Sequence, residues 1–127
     1  MDYLDSSILW DWCLYGKYSE YMAKAASNQG ACTSVFSLLE IHYAMIRKGI
    51  SRKDASIYVE KIAAGSGIDI LEGEVQDILK ALAIEPTGLG LYDSIHAVIC
   101  LRNRYRLASS DKDFSRVNGI DVFRPPE

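Results

Sequence analysis

Short apolar runs alternate along the chain with longer stretches whose apolar positions recur every three or four residues. The short runs, Tyr3-Leu4, Ala31-Cys32-Thr33, Ile68 to Leu71, Leu107 to Ser109 and Ile120 to Phe123, read as strands. Between them, Ile8 to Cys13 reads as a short helix with a break near Gly16. A second helix, Lys17 to Asn28, carries an apolar stripe of Tyr18, Tyr21, Met22, Ala25 and Ala26, and Asn28-Gln29-Gly30 stops it. Val35 to Lys48 is apolar nearly all round, which predicts a mostly buried helix; Ser34 or Thr33 is its expected cap and Gly49 its end. Ser51-x-x-Asp54 opens a helix to about Ala64. Glu72 to Ala83 is expected to bury Val75, Ile78, Leu79 and Leu82, and Asp93 to Tyr105 to bury Ile95, Ala97, Val98, Ile99 and Leu101. Residues 86–90 read as a loop, and Asp111 to Val117 as a turn with a short helix. Strands alternating with helices predict an α/β fold with a parallel sheet.

The length of 127 residues fits a single domain spanning 1–127. No apolar run is long enough to cross a bilayer, and Met1 leads directly into the first strand, so neither a membrane span nor a signal peptide is expected. Cys13, Cys32 and Cys100 are odd in number and far apart, which argues against a disulfide framework or zinc ribbon and suits a reducing cytoplasm. The net charge of −3 at first argues against a nucleic-acid partner. That changes if a few of the acids are neutralised by a bound cation, because the remaining charges nearly balance.

Four acids fit that idea. Asp5 stands where the first strand should end, at the edge where open α/β sheets place their ligands. Asp111 follows the fourth strand, Asp93 opens the helix leading into that strand, and Glu40 projects from the helix after the second. Asp5, Asp93 and Asp111 each also read as an ordinary helix N-cap. Glu40 does not: Phe36, Ser37, Tyr43 and Ala44 are its helical neighbours, and a charge on so apolar a helix is costly unless it is paired or binds metal. If strands 1 and 4 lie side by side, all four acids converge on one sheet edge. Four carboxylates in one cleft could not all ionise without a cation. Oxygen-only donors favour Mg²⁺ or Mn²⁺.

The stretches Tyr-Leu-Asp-Ser-Ser at Asp5, Ser-Leu-Leu-Glu-Ile at Glu40, Leu-Tyr-Asp-Ser-Ile-His-Ala at Asp93 and Ser-Ser-Asp-Lys-Asp-Phe at Asp111 occur in the order found in PIN-domain nucleases. Within that group the chain resembles the small VapC-type toxins. The resemblance implies a three-layer α/β/α fold with a five-stranded parallel sheet of order 3-2-1-4-5. It also implies Mg²⁺-dependent endoribonuclease activity leaving 5′ phosphate and 3′ hydroxyl ends, with Asp5, Glu40, Asp93 and Asp111 as metal ligands. Ser109 takes the place of the family's usual threonine, and Asp113 is a second acid ranked below Asp111. A small antitoxin and a second copy of the chain are the partners the resemblance suggests.

Arg47, Lys48, Arg52, Lys53, Arg102, Arg104, Lys112 and Arg116 are candidates for gripping RNA, each also readable as ordinary surface charge. His96 and Cys100, four apart, read as core rather than as a zinc site. The aromatic residues of the first two helices, Trp10 and Trp12 among them, also read mainly as core. Two competing functions stay open. One is a Mg²⁺-dependent phosphatase, which the lack of Asp-x-Asp after strand 1 weakens. The other is a non-catalytic RNA-binding or protein-interaction module on the same scaffold.

Overall fold

The computed structural model describes residues 1–127 apart from 85–87, and omits the side chains of residues 28 and 29. Five parallel strands form one sheet in the order β3-β2-β1-β4-β5. In chain order the elements are β1 (Asp2–Leu4), α1 (Ser6–Tyr15), α2 (Ser19–Lys24), β2 (Ala31–Ser34), α3 (Val35–Arg47) and α4 (Arg52–Gly65). They continue with β3 (Asp69–Leu71), α5 (Val75–Ile84), α6 (Leu91–Asn103), β4 (Arg106–Ala108) and β5 (Val122–Phe123). The expected α/β/α architecture and strand order are what the chain adopts. No helix among the described residues is long and apolar enough to cross a membrane.

The central strand shows why the fold has three layers. Successive side chains of a strand point to opposite faces. In β1, Tyr3 enters the core beneath α5 and α6, with Cys32, Ile95, Ile99, Leu107 and Phe114. Leu4 enters the core beneath α1 to α4, with Ile8, Leu9, Met22, Ile41 and Met45. Both are fully buried. Burying a side chain of that size contributes about 1.5–3 kcal/mol, so each face of the sheet needs a helical cover.

Several local expectations need adjusting. The helix expected over Lys17 to Asn28 is shorter: α2 gives way to a π-helical turn, Ala25–Gln29, ending at Gly30. α1 runs to Tyr15 and stops where Gly16 takes φ 68°, a left-handed conformation that glycine adopts without strain. Ser34 sits at the N-cap of α3 without capping it through its side chain; its hydroxyl meets the Tyr3 hydroxyl at 2.8 Å. Ser51 does cap α4, accepting from the Asp54 amide at 3.1 Å. Of the predicted 86–90 loop, residues 86 and 87 lie outside the described residues.

The largest correction concerns α5. Val75, Leu79 and Leu82 are 71%, 51% and 48% exposed rather than buried. The buried residues are Ala81 and Asp77, with Ile78 packed at the core's edge. The physical reason is Arg102 of α6, whose Nε and a terminal nitrogen each donate to Asp77 at 2.9 Å. Together with Ile78, Ala81 and Ile84, which pack into the core, that forked pair holds one face inward and leaves three apolar side chains facing out. Leu101 of α6 is also exposed, at 41%.

Candidate functional site

β1 lies between β2 and β4, so its carboxyl end is where the connections diverge to opposite sides of the sheet. Asp5 stands there, pinned to the neighbouring strand by its amide, which donates to the Ala108 carbonyl at 3.1 Å. It caps α1: Oδ1 accepts from the Ser7 amide at 3.0 Å, the Ser7 hydroxyl at 2.6 Å and the Ile8 amide at 3.3 Å. The Ser109 hydroxyl, at the end of β4, donates to Oδ2 at 2.5 Å. Asp5 is therefore both the ordinary cap and a member of the acidic edge. Its side chain is 2% exposed. Burial pushes its carboxyl up, against the Ser109 and Ser7 hydroxyls that donate to it.

Ser109 joins two of the acids. Besides donating to Asp5, its oxygen accepts from the Asp111 amide at 2.9 Å. Asp111, half-buried, then caps the short 3-10 helix Lys112–Arg116 by accepting from the Asp113 amide at 2.9 Å. Asp113 is exposed and ion-pairs with Arg116 at 3.8 Å.

Asp93 does not take the N-cap position that its sequence also allowed. The cap of α6 is Gly90, and Asp93 sits within the first turn, half-buried, with no capping duty to explain it. Burial raises its carboxyl from the ordinary 3.8 to about 6. The charges of Glu40, Asp111 and Asp5 add to that rise, and the His96 ring opposes it. A carboxyl lifted by three other carboxyls shares their electrostatic neighbourhood. Asp93 thus feels the charge of each of the other three acids named from the sequence.

Glu40, in the middle of α3, has a side chain 23% exposed, and its Oε1 meets His96 Nε2 at 2.9 Å. His96 is fully buried in α6. Reading it as core was correct, but its contact with Glu40 was missed. The cost of an unpaired charge on α3 was the available signal, yet it named no partner, and the two residues are 56 positions apart. Among the described residues, no group of three or more His, Cys, Asp or Glu side chains is placed to hold an ion. Three of the acids already hold partners: Glu40 has His96 on Oε1, Asp5 has Ser7 on Oδ1 and Ser109 on Oδ2, and Asp111 has the Asp113 amide on Oδ1.

Cations flank the acids on two sides. Lys48 lines a cavity of about 230 Å³ with Ser6, Ser7, Trp10 and Glu40. Lys112 and Arg124 line another, of about 400 Å³, with Ser109, Ser110 and Asp111. Other basic candidates are committed elsewhere: Arg102 to Asp77, and Arg47 to the Tyr43 ring at 5.8 Å. Arg104 follows the far end of α6 and lines a cavity with Arg106 and Asp121, away from Asp93 at the start of that helix.

Comparison with solved structures finds the same fold in bacterial toxins. VapBC2 from Rickettsia felis, crystallised with a promoter DNA fragment, superposes with a TM-score of 0.79 at 17% identity, covering 98% of each chain. DNA-bound VapBC from Salmonella typhimurium gives 0.76 at 18% identity, over 97% of this chain and 96% of that one. Mycobacterium tuberculosis VapC20, a Sarcin-Ricin loop cleaving toxin, gives 0.73 at 15% identity, over 96% and 98%. A search of curated proteins by sequence finds no significant match. The PIN domain family model matches residues 3–120, a span running from the strand before Asp5 to beyond Asp111. With nearly the whole chain inside that match, the chain belongs to the PIN domain family.

Proposed function

We propose that this chain is a divalent-cation-dependent endoribonuclease of the VapC toxin type, with Asp5, Glu40, Asp93 and Asp111 as its ion ligands. One observation carries the reading: Asp93 is held near pH 6 by burial together with the charges of the other three acids. Such a cluster is relieved by a cation. The donors are carboxylate oxygens without a thiolate, a set that suits Mg²⁺ or Mn²⁺. When bound, such an ion would supply charge neutralisation and a water made acidic enough to attack a phosphodiester.

The chain's own residues set the stage for that chemistry. Ser7 and Ser109 fix the Asp5 carboxylate before any ligand arrives. Ser109 also ties the Asp111 backbone to the same point, so two ligands share one anchor. Asp113 is left to its Arg116 pair and belongs to the outer edge. Lys48 and Lys112, on opposite sides of the acids, would grip phosphates on either side of the scissile bond. Such contacts are blind to sequence and weaken with salt.

The test is incubation of the purified chain with single-stranded and structured RNAs in Mg²⁺, Mn²⁺ or EDTA. The expected result is discrete cleavage with ions, products ending in 5′ phosphate and 3′ hydroxyl, and none with EDTA. RNA bound but never cut under any ion would favour the interaction-module reading. Cleavage that EDTA leaves intact would remove the ion from the mechanism.

Partners are proposed from exposed apolar faces. Leu39, Tyr43 and Ile46 form an exposed stripe on α3 beside Glu40, a face suited to an antitoxin segment. The outward stripe on α5, Val75, Leu79 and Leu82, suits a second copy of the chain. Light scattering is expected to give twice the chain mass for the isolated protein. A single-chain mass at tens of micromolar would remove the homodimer.

A further inference from the structure

We propose that His96 is the positioning residue for Glu40, the end of a buried hydrogen-bonded column that holds this carboxylate in place for an ion. The inference rests on the reading of Glu40 as an ion ligand. The column takes one residue from each of four elements. Ser34, at the end of β2, meets the Tyr3 hydroxyl of β1 at 2.8 Å. The Tyr3 hydroxyl meets His96 Nδ1 of α6 at 2.7 Å, and His96 Nε2 meets Glu40 Oε1 of α3 at 2.9 Å. Ser34, Tyr3 and His96 are all fully buried, and Glu40 alone reaches the surface.

The direction of every proton follows from the last partner. A carboxylate only accepts, so Nε2 must carry hydrogen. In the singly protonated ring Nδ1 then accepts, and its donor is the Tyr3 hydroxyl. The Tyr3 oxygen in turn accepts from Ser34. Tyr3, a phenol fully buried among apolar side chains, keeps its proton and donates it. The column therefore presents one fixed N–H to Glu40. A ring able to turn over would offer either nitrogen; the tyrosine bond stops that.

The consequence is preorganisation. A glutamate on a helix surface has several free torsions, and ordering them when an ion arrives weakens binding. Here the Oε1 contact does that ordering in advance. Among the described residues Glu40 has this one hydrogen bond, which leaves its second oxygen available to a ligand. Outer partners of this kind fix ligand orientation, and their loss typically costs 10–100-fold in metal affinity or activity.

A purely structural role, tying α3 to α6, makes a different prediction, and two amide substitutions separate them. The His96→Gln amide nitrogen reaches the place of Nε2 and keeps the donor to Glu40. The His96→Asn amide reaches only the place of Nδ1, keeping Tyr3 and losing Glu40. Mn²⁺ binding to EDTA-stripped protein, followed by the electron-paramagnetic signal of free Mn²⁺, reads the result without any turnover. The expectation is about 10–100-fold weaker binding in His96→Asn and recovery to within about threefold in His96→Gln. KM for RNA should stay unchanged in both, since His96 touches no substrate. Equal Mn²⁺ affinity in the wild type and His96→Asn would overturn the inference alone, and no Mn²⁺ binding by the wild type would overturn the ion site itself. Should His96→Asn fail to fold, Tyr3→Phe carries the test. It removes one oxygen, and a loss of about three- to tenfold in Mn²⁺ affinity supports the column while wild-type affinity overturns it.

Discussion

Asp93→Asn is expected to lower RNA cleavage at least about a hundredfold while the fold survives. Losing an outer partner of a metal ligand already costs up to that much, and losing a ligand should cost no less. The substitution keeps the shape of the side chain and removes its charge. Asp93 has no capping duty in α6 and no core role, so little else changes. Mg²⁺-dependent cleavage at wild-type rate in this variant would end its assignment as a ligand.

The same substitution has a second signature, in stability against pH. The folded carboxyl titrates near 6 and the unfolded one near 3.8, so the folded state holds its proton more tightly. The stability that Asp93 contributes is therefore whole below about pH 4 and is lost as pH rises through about 6. Without ions, the wild type should lose melting temperature relative to Asp93→Asn between pH 4 and 7. Saturating Mg²⁺ at pH 7 should reverse the order by stabilising the wild type more. Thermal melts at pH 4, 5, 6 and 7, with EDTA or Mg²⁺, test both signs. Parallel curves for the two proteins would mean that neither burial nor the other acids raise the Asp93 carboxyl.

What the sequence made legible follows from how local each signal is. The position of Asp5 could be read because a two-residue apolar run ending in an acid and serines is a local pattern, whereas the strand order came only with the resemblance to PIN domains. Ser109 was legible through the same resemblance, as the hydroxyl in the place of the family's threonine. Glu40 was legible as a problem: the apolar surroundings demanded a partner. Its nearest partner, His96, was not, because the contact joins two helices far apart in the chain. The face of α5 was misread on similar grounds. It carries apolar residues at helical spacing on both sides, and the pair of Asp77 with Arg102 goes with the side of Ile78, Ala81 and Ile84. Periodicity finds a helix; it does not choose between two faces when an ion pair outweighs a leucine.

That pair yields the other large effect. Arg102→Ala is expected to destabilise the protein by about 3 kcal/mol, the low end of the range for breaking a buried ion pair. Asp77 is fully buried, whereas the Arg102 side chain is 31% exposed, and water reaching that end moderates the loss. Among the described residues Asp77 would retain only the Glu74 amide, at 2.9 Å, which cannot balance a buried charge. Removing both partners, with Asp77→Leu added, should recover much of the loss because no charge is then left without a counterion. Urea denaturation of the two variants measures this. RNA binding separates the structural role from the gripping role that the sequence also allowed. Lys48→Ala should lower the salt slope of binding by about one, while Arg102→Ala should leave it unchanged. An Arg102→Ala protein of wild-type stability with a reduced salt slope would return Arg102 to the RNA-binding surface, and α5 would then need another reason for turning its leucines outward.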